Sequence, residues 1–479
     1  MKSSTRAGIV DRLGWLMDLI TRTPTLLSDE ETAGLLKVLP PESGRSLGAF
    51  FEPHVRETGI TFLHMLADWL SQSRRAQAQG RKVILVPFNF PPELIMAFDN
   101  AWPITTEVLT TLAAAGLEGG GQRYWEVMMN LGLPDHICSA NSIELGSMLS
   151  GEDFVPQAIV SAAPGACDAN SKIHEFASHY LGIPQFIIEK PVDDTPAGHE
   201  QYRLYFLHLV AQLEDFLDEE LTEEKLRRVL IKANRSAELY WEFWDLHKPS
   251  PCPVPNIYAL MLAGTRFAMW GTDWGVRMME QLVESSKRRL QAGGLPEQRV
   301  RILWAYTSYY FDLSGLFTWM ERQGYVHLMD ALDLSMPQPI DTSSKESMIA
   351  GLVETNWNYP MNRQMGSSSM SQTWVEDMIY VARELRADCV VYCGHDACTQ
   401  TWSVVSILRE ELQRRAGIPV LILHGDSWMK RTTPITVIQQ ELDEFVRNVV
   451  LSGKRKERRS RRRLPRPSTG TNPAGNQDQ

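Results

Sequence analysis

The 479-residue sequence contains no apolar run approaching the roughly 18–20 residues that carry a helix across a bilayer. The stretch up to Arg22 is partly apolar, but Asp11, Arg12 and Asp18 interrupt it. It has neither the long hydrophobic region nor the small-residue cleavage site of a secretory signal. It reads instead as an amphipathic helix, with Ile9, Leu13, Leu16 and Ile20 on one face. These absences make the cytoplasm the expected location. No GxxxxGK[ST] phosphate loop is present, so the chain is not expected to hydrolyse ATP itself. A GxSxG elbow and an HExxH helix are missing too, and Gly119-Gly120-Gly121 is a lone glycine turn rather than a dinucleotide fingerprint. Cysteine is scarce, at six residues, with no CxxCxxC run. In a long chain of cytosolic type, such cysteines point to metal or catalytic use rather than to disulfides.

Positive charge is also short. The net charge is −10, and from Gly453 to Gln479 nine Lys/Arg face only Glu457 and Asp478, a local +7. The rest of the chain therefore carries −10 − 7 = −17. An acidic body argues against a nucleic-acid binder. The basic end, 453–479, has almost nothing apolar to bury and is expected to be a disordered tail.

What is present is alternation. The first 80 residues read as helical. Apolar, β-branched runs then appear at Lys82–Phe88, Gln157–Ser161 and Pro184–Glu189, separated by helical patterns. A proline-led helix start follows the first run at Pro91-Pro92-Glu93. Long helical patterns cover Glu200–Asp218 and Glu223–Asp245, and Lys248–Pro255 is a proline-rich break. The second half alternates again, with runs at Val300–Ala305, Val326–Ala331, Cys389–Cys393 and Pro419–Leu423. Alternating β and α units predict an α/β protein of two doubly wound parallel-sheet lobes, Rossmann- or flavodoxin-like. The expected division is a helical N-terminal segment (1–80), a first lobe (81–250), a helical connector (251–295), a second lobe (296–452) and the tail.

Ligands of such sheets bind beyond the carboxyl ends of the strands. Cys167 follows the run ending at Ser161, Cys393 and Cys398 lie at and past the run from Cys389, and Cys138 stands at a helix start. Three or four thiolates are the usual holders of a cubane iron–sulfur cluster. The spacing is wide, 29 residues and then 231, so spacing alone leaves cluster ligands and small buried hydrophobes equally open. Cys389 opens an apolar strand and Cys252 sits between prolines, so both read as inert. Cys393-x4-Cys398 with His395 offers half of a zinc-type spacing, without a second half.

Several stretches together, from about Lys82 to Val450, are similar to one family: the strand before PPELIMAFDNAWPI, then HICSANSIELGSM, SAAPGACDANSKIHEF, DCVVYCGHDACTQTWS and GIPVLILHGD, in that order. The chain resembles the D-component of 2-hydroxyacyl-CoA dehydratases, the family of 2-hydroxyglutaryl-CoA dehydratase and of the B and C subunits of benzoyl-CoA reductase. The resemblance implies a 4Fe–4S cluster held by the residues matching Cys138, Cys167 and Cys398, with one iron position open. It implies an acyl-CoA substrate, a homologous second subunit, and an ATP-hydrolysing activator fed by ferredoxin or flavodoxin in anaerobic metabolism. Glu93 matches the family's first-lobe helix and is the expected catalytic base or hydrogen-bond partner, or else a first-turn carboxylate favoured by the helix dipole. His395-Asp396-Ala397 departs from the family's usual basic and serine residues, and Cys393 is an added thiol that could take the fourth iron. The expected activity is a 2-hydroxyacyl-CoA dehydratase. The alternatives are an aryl-CoA reductase subunit, an iron–sulfur electron relay without its own substrate, and a cluster-free structural relative.

Overall fold

The computed structural model of the chain describes residues 9–24, 26–150, 156–163, 167–359, 361–363 and 371–453. The expected basic tail, all but Gly453, lies outside them. Two four-stranded parallel sheets organise the molecule. The first holds β1 (Lys82–Val86), β2 (Ala101–Thr105), β3 (Ala158–Ala163) and β4 (Gln185–Glu189), in the order β2-β1-β3-β4. The second holds β5 (Val300–Trp304), β6 (Tyr325–His327), β7 (Cys389–Tyr392) and β8 (Val420–Ile422), in the order β6-β5-β7-β8. The two orders are the same, and in each the chain reverses direction across the sheet between the first and third strands. That reversal opens a crevice at the carboxyl ends of the strands.

The short apolar runs become these strands because helices cover both faces, so every side chain of β1 after Lys82, and every one of β5 and β7, is buried. Strand β2 was not expected, since Pro103 stands in its middle. Proline lacks a ladder donor, but β2 is an edge strand and pairs only with β1, Pro103 opposite Ile84. The helix Lys345–Trp357, set by a Ser344–Ser347 cap, was also unforeseen.

The N-terminal segment joins the same core. Ile9, Leu13, Leu16 and Ile20 are all buried on the inner face of the helix Ile9–Thr21, as their spacing predicted. One apolar cluster runs from this helix through both sheets and the connector helices Tyr258–Ala268 and Asp273–Ala292. No helix among the described residues is long and apolar enough to cross a membrane.

Candidate functional site

Three of the six cysteines occupy one kind of position. Cys138, Cys167 and Cys398 are each the residue before the first turn of a helix: Ser139–Leu149, Asp168–Leu181 and Thr399–Ala416 respectively. Cys167 follows β3 and Cys398 follows β7, so these two hold equivalent places in the two lobes. Cys167 stands at the helix cap, without a side-chain hydrogen bond to it. At each of these ends the unpaired N–H groups and the helix dipole favour negative charge.

Hydrogen bonds across the two lobes bring these ends together. Beside Cys167, the Asp168 N–H donates to Gln400 Oε1 at 3.4 Å, two residues past Cys398. Beside Cys138, Ser139 Oγ donates to Asp426 Oδ1 at 2.6 Å. Asp426 also accepts from the N–H groups of Trp428 and Met429, at 2.8 and 2.9 Å. Cys138 Sγ lies 3.3 Å from His395 Nε2, and the Cys398 thiol donates to the Tyr306 hydroxyl at 3.4 Å.

The electrostatics follow from this convergence. Burial raises the Cys138 pKa, and the charges of Cys167, Cys398 and Asp426 raise it further. Cys167 is raised by burial and then by Cys398. The pKa of the Tyr306 hydroxyl is raised by burial and then by Cys398, Cys167 and Cys138. Burial lowers the His395 pKa, against the pull of Asp426 and Asp396. Cys138 and Cys167 are partly exposed while Cys398 is buried. No three His, Cys, Asp or Glu side chains among the described residues are gathered closely enough to hold a single metal ion.

Cys393, just past β7, has hydroxyl partners of its own. Its thiol is fully buried, 3.1 Å from Thr307 Oγ1 and 3.7 Å from Ser427 Oγ. Burial pushes its pKa up to about 11, those hydroxyls lower it, and Cys398 is the thiol that acts on it. Glu93 is buried in the helix Pro92–Met96, with Oε1 on Arg266 Nη1 and, among the described residues, no hydrogen-bond partner for Oε2. Cys389 and Cys252 are buried, away from any helix start.

Sequence reasoning missed Tyr306 and Glu107, and saw His395 as half of a zinc spacing and as a departure from the family's pattern, not as a partner of Cys138. Tyr306 stands two residues past β5, and the rule that ligands meet strand ends would have found it had it been applied to this cysteine-free strand. Glu107 follows the unforeseen β2. Its Oε2 accepts from the Phe88 N–H at 2.9 Å and its Oε1 from Asn170 Nδ2 at 3.0 Å. Burial pushes its pKa up to about 7, and its charge acts on Cys167. It also lines an apolar cleft between the lobes with Phe267, Tyr310 and Trp428.

No curated protein matches the chain. The family model for the 2-hydroxyglutaryl-CoA dehydratase D-component matches residues 87–447, a span that takes in every strand after β1 and every thiol described above. With its paired parallel sheets and its trio of thiols at helix starts, the chain belongs to the 2-hydroxyglutaryl-CoA dehydratase D-component family.

Proposed function

We propose that this chain is the iron–sulfur component of a 2-hydroxyacyl-CoA dehydratase, holding one 4Fe–4S cluster through Cys138, Cys167 and Cys398. The observation that carries the reading is geometric: Cys138, Cys167 and Cys398 each stand at a helix start, and hydrogen bonds across the lobes tie those starts together. Burial first, and neighbouring thiols after it, raise the pKa of Cys138 and Cys167, so a group of positive charge is what would hold them ionised. The donor chemistry fits. Thiolates suit iron–sulfur groups, and three of them leave one iron position for another ligand. Such a cluster supplies single electrons at low potential to a bound thioester.

The chain's own residues would bind, orient and shield. Three helix starts favour the negative charge of the thiolates. Tyr306 and His395 orient two of the sulfurs. Glu107, whose pKa burial raises to about 7, would take up or release a proton near neutral pH at the edge of the apolar cleft. Family membership supports a coenzyme A thioester as substrate, a homologous second subunit as partner, and a separate ATP-hydrolysing activator supplied by ferredoxin or flavodoxin.

Anaerobically purified protein tests this, with iron and sulfide content and EPR measured beside Cys398→Ala. About four irons per chain, lost in the variant, is expected of one cubane cluster. Protein without iron, or with zinc in its place, would overturn the reading. Assay of the loaded protein with a 2-hydroxyacyl-CoA and with an aryl-CoA then separates dehydratase from reductase.

A further inference from the structure

The ring of His395 is fully buried, and its backbone is fixed on both sides. The residue pairs with Gly425 in a parallel bridge, the Gly425 N–H donates to Gly394 O at 3.0 Å, and the Asp396 N–H donates to Gly425 O at 2.9 Å. His395 O accepts from the Cys398 N–H at 3.0 Å and from Trp402 Nε1 at 3.0 Å. The ring packs edge-on against Trp428, with centroids 5.2 Å apart. One residue of the second lobe therefore touches two thiol-bearing residues: Cys398 through its carbonyl and Cys138, in the first lobe, through its ring.

The tautomer follows from a fixed donor. The Ser427 backbone N–H points at His395 Nδ1 at 3.3 Å. A backbone N–H only donates, so Nδ1 carries the lone pair and the ring proton sits on Nε2. Asp426 Oδ1 is 3.9 Å from Nδ1, beyond hydrogen-bond length, and gives no reason for a proton there. The Nε2–H therefore faces the Cys138 sulfur at 3.3 Å. Turning the ring to offer a bare nitrogen to a metal would leave the buried Ser427 N–H without its acceptor.

We infer that His395 is a positioning residue that donates its Nε2–H to the sulfur of Cys138 and raises the reduction potential of the group that this sulfur holds. A hydrogen bond to a ligand sulfur withdraws negative charge from it, which favours the reduced state of the centre. This rests on the function proposed above for its redox readout. It also explains why histidine suits a position where a merely bulky residue would fill the space.

The experiment compares the wild-type chain with His395→Gln, which keeps an N–H donor, and with His395→Leu and His395→Met, which do not. Each is first melted to establish that it folds, and either apolar variant suffices. In anaerobically loaded protein, the apolar variant is expected to show a more negative midpoint potential, and the glutamine variant to return toward the wild type. Pulsed EPR is expected to show no directly bound imidazole nitrogen. An unchanged potential in the apolar variant, or a strong nitrogen coupling that His395→Leu abolishes, would overturn the inference. Should the wild-type chain take up no iron, the proposed function fails and the redox effect with it, but the hydrogen bond from His395 to Cys138 is still judged, on the metal-free chain. Iodoacetamide labelling of Cys138 at fixed pH, read by peptide mass, should slow several-fold in the apolar variant and recover with glutamine, because the thiolate is the nucleophile. Equal labelling rates in all variants would then overturn it.

Discussion

Glu93 Oε1 lies 2.9 Å from Arg266 Nη1, and each side chain is 2% exposed. The pair joins the short helix after β1 to the connector helix Tyr258–Ala268, under the rings of Trp270 and Tyr359. Burial is the largest influence on the Arg266 pKa and works to lower it, but the charges of Glu93 and Tyr359 and the hydrogen bond to Glu93 together raise it, so the guanidinium stays charged. Removing either partner strands a buried charge, at a cost of about 3–5 kcal/mol. Glu93→Ala and Arg266→Ala should therefore each shift the urea midpoint strongly, and the double variant should lose less than the sum. If Glu93 served only the substrate, Glu93→Gln would cut turnover while melting like the wild type, and that result would remove the structural role.

Glu107 predicts a pH effect of definite sign. Its folded pKa is about 7, pushed above the ordinary carboxylate value of 4.5 by burial. Its contribution to stability is most favourable below pH 4.5, declines as pH rises toward 7 and is level above that, a span on the order of 3 kcal/mol. Glu107→Gln has no proton to lose. The stability gap between variant and wild type should therefore move in the variant's favour from pH 5 to pH 8, in urea titrations at each pH. Parallel curves across that range would show that the carboxyl titrates normally.

The strands β1, β3 and β5, together with the first-lobe helix starts, were legible because buried parallel strands are short apolar runs and because glycine or proline punctuates their ends. Cys138, Cys167 and Cys398 stood out because cysteine is rare here and strand ends are where ligands meet such sheets. What escaped notice depends on long-range pairing. Pro103 hides β2, since nothing local says that the strand is an edge. His395 reaches a residue 257 positions earlier in the chain, and Tyr306 reaches one 92 positions later, which no local periodicity encodes. The surroundings of Cys393 were equally hidden, since the hydroxyls of Thr307 and Ser427 approach it from other loops.

Cys252 illustrates the opposite case, a buried thiol with structural partners alone. Its N–H donates to Gln298 Oε1 at 2.6 Å and its sulfur lies 3.8 Å from Leu246 O. Cys252→Ala should keep the iron content of the wild type and cost about 1 kcal/mol of stability, the scale of one small buried group. Loss of iron in this variant would make Cys252 a ligand and redraw the site.

Asp426 ties the lobes together at the thiols. Its Oδ1 accepts from Ser139 Oγ, one residue past Cys138, while also holding the Trp428 and Met429 N–H groups. Asp426→Ala leaves those donors unpaired and should cost ~2–4 kcal/mol. Ser139→Ala removes only the link between the lobes and should cost less. Both should expose Cys138 to faster proteolysis of the helix Ser139–Leu149 relative to β7, read by limited digestion. Equal digestion of wild type and variants would show that the link bears no strain from the site.

Gly394 and Gly417 separate backbone strain from close packing. Both have positive φ, +65° and +67°. At Gly417, after the helix Thr399–Ala416, a methyl group would meet nothing within 4 Å. At Gly394 it would stand 1.7 Å from the carbonyl oxygen of Leu423, inside the backbone that carries His395. Gly417→Ala should therefore cost only the left-handed conformation, about 1–2 kcal/mol. Gly394→Ala adds a clash that only a shift of the β8 exit relieves, and that shift moves His395 away from Cys138. The expected result is a larger fall in melting temperature for Gly394→Ala, accompanied by lost iron, against a small fall with full iron for Gly417→Ala. Matching behaviour of the two variants would mean that the His395 loop tolerates displacement, and that the three sulfurs hold their places without it.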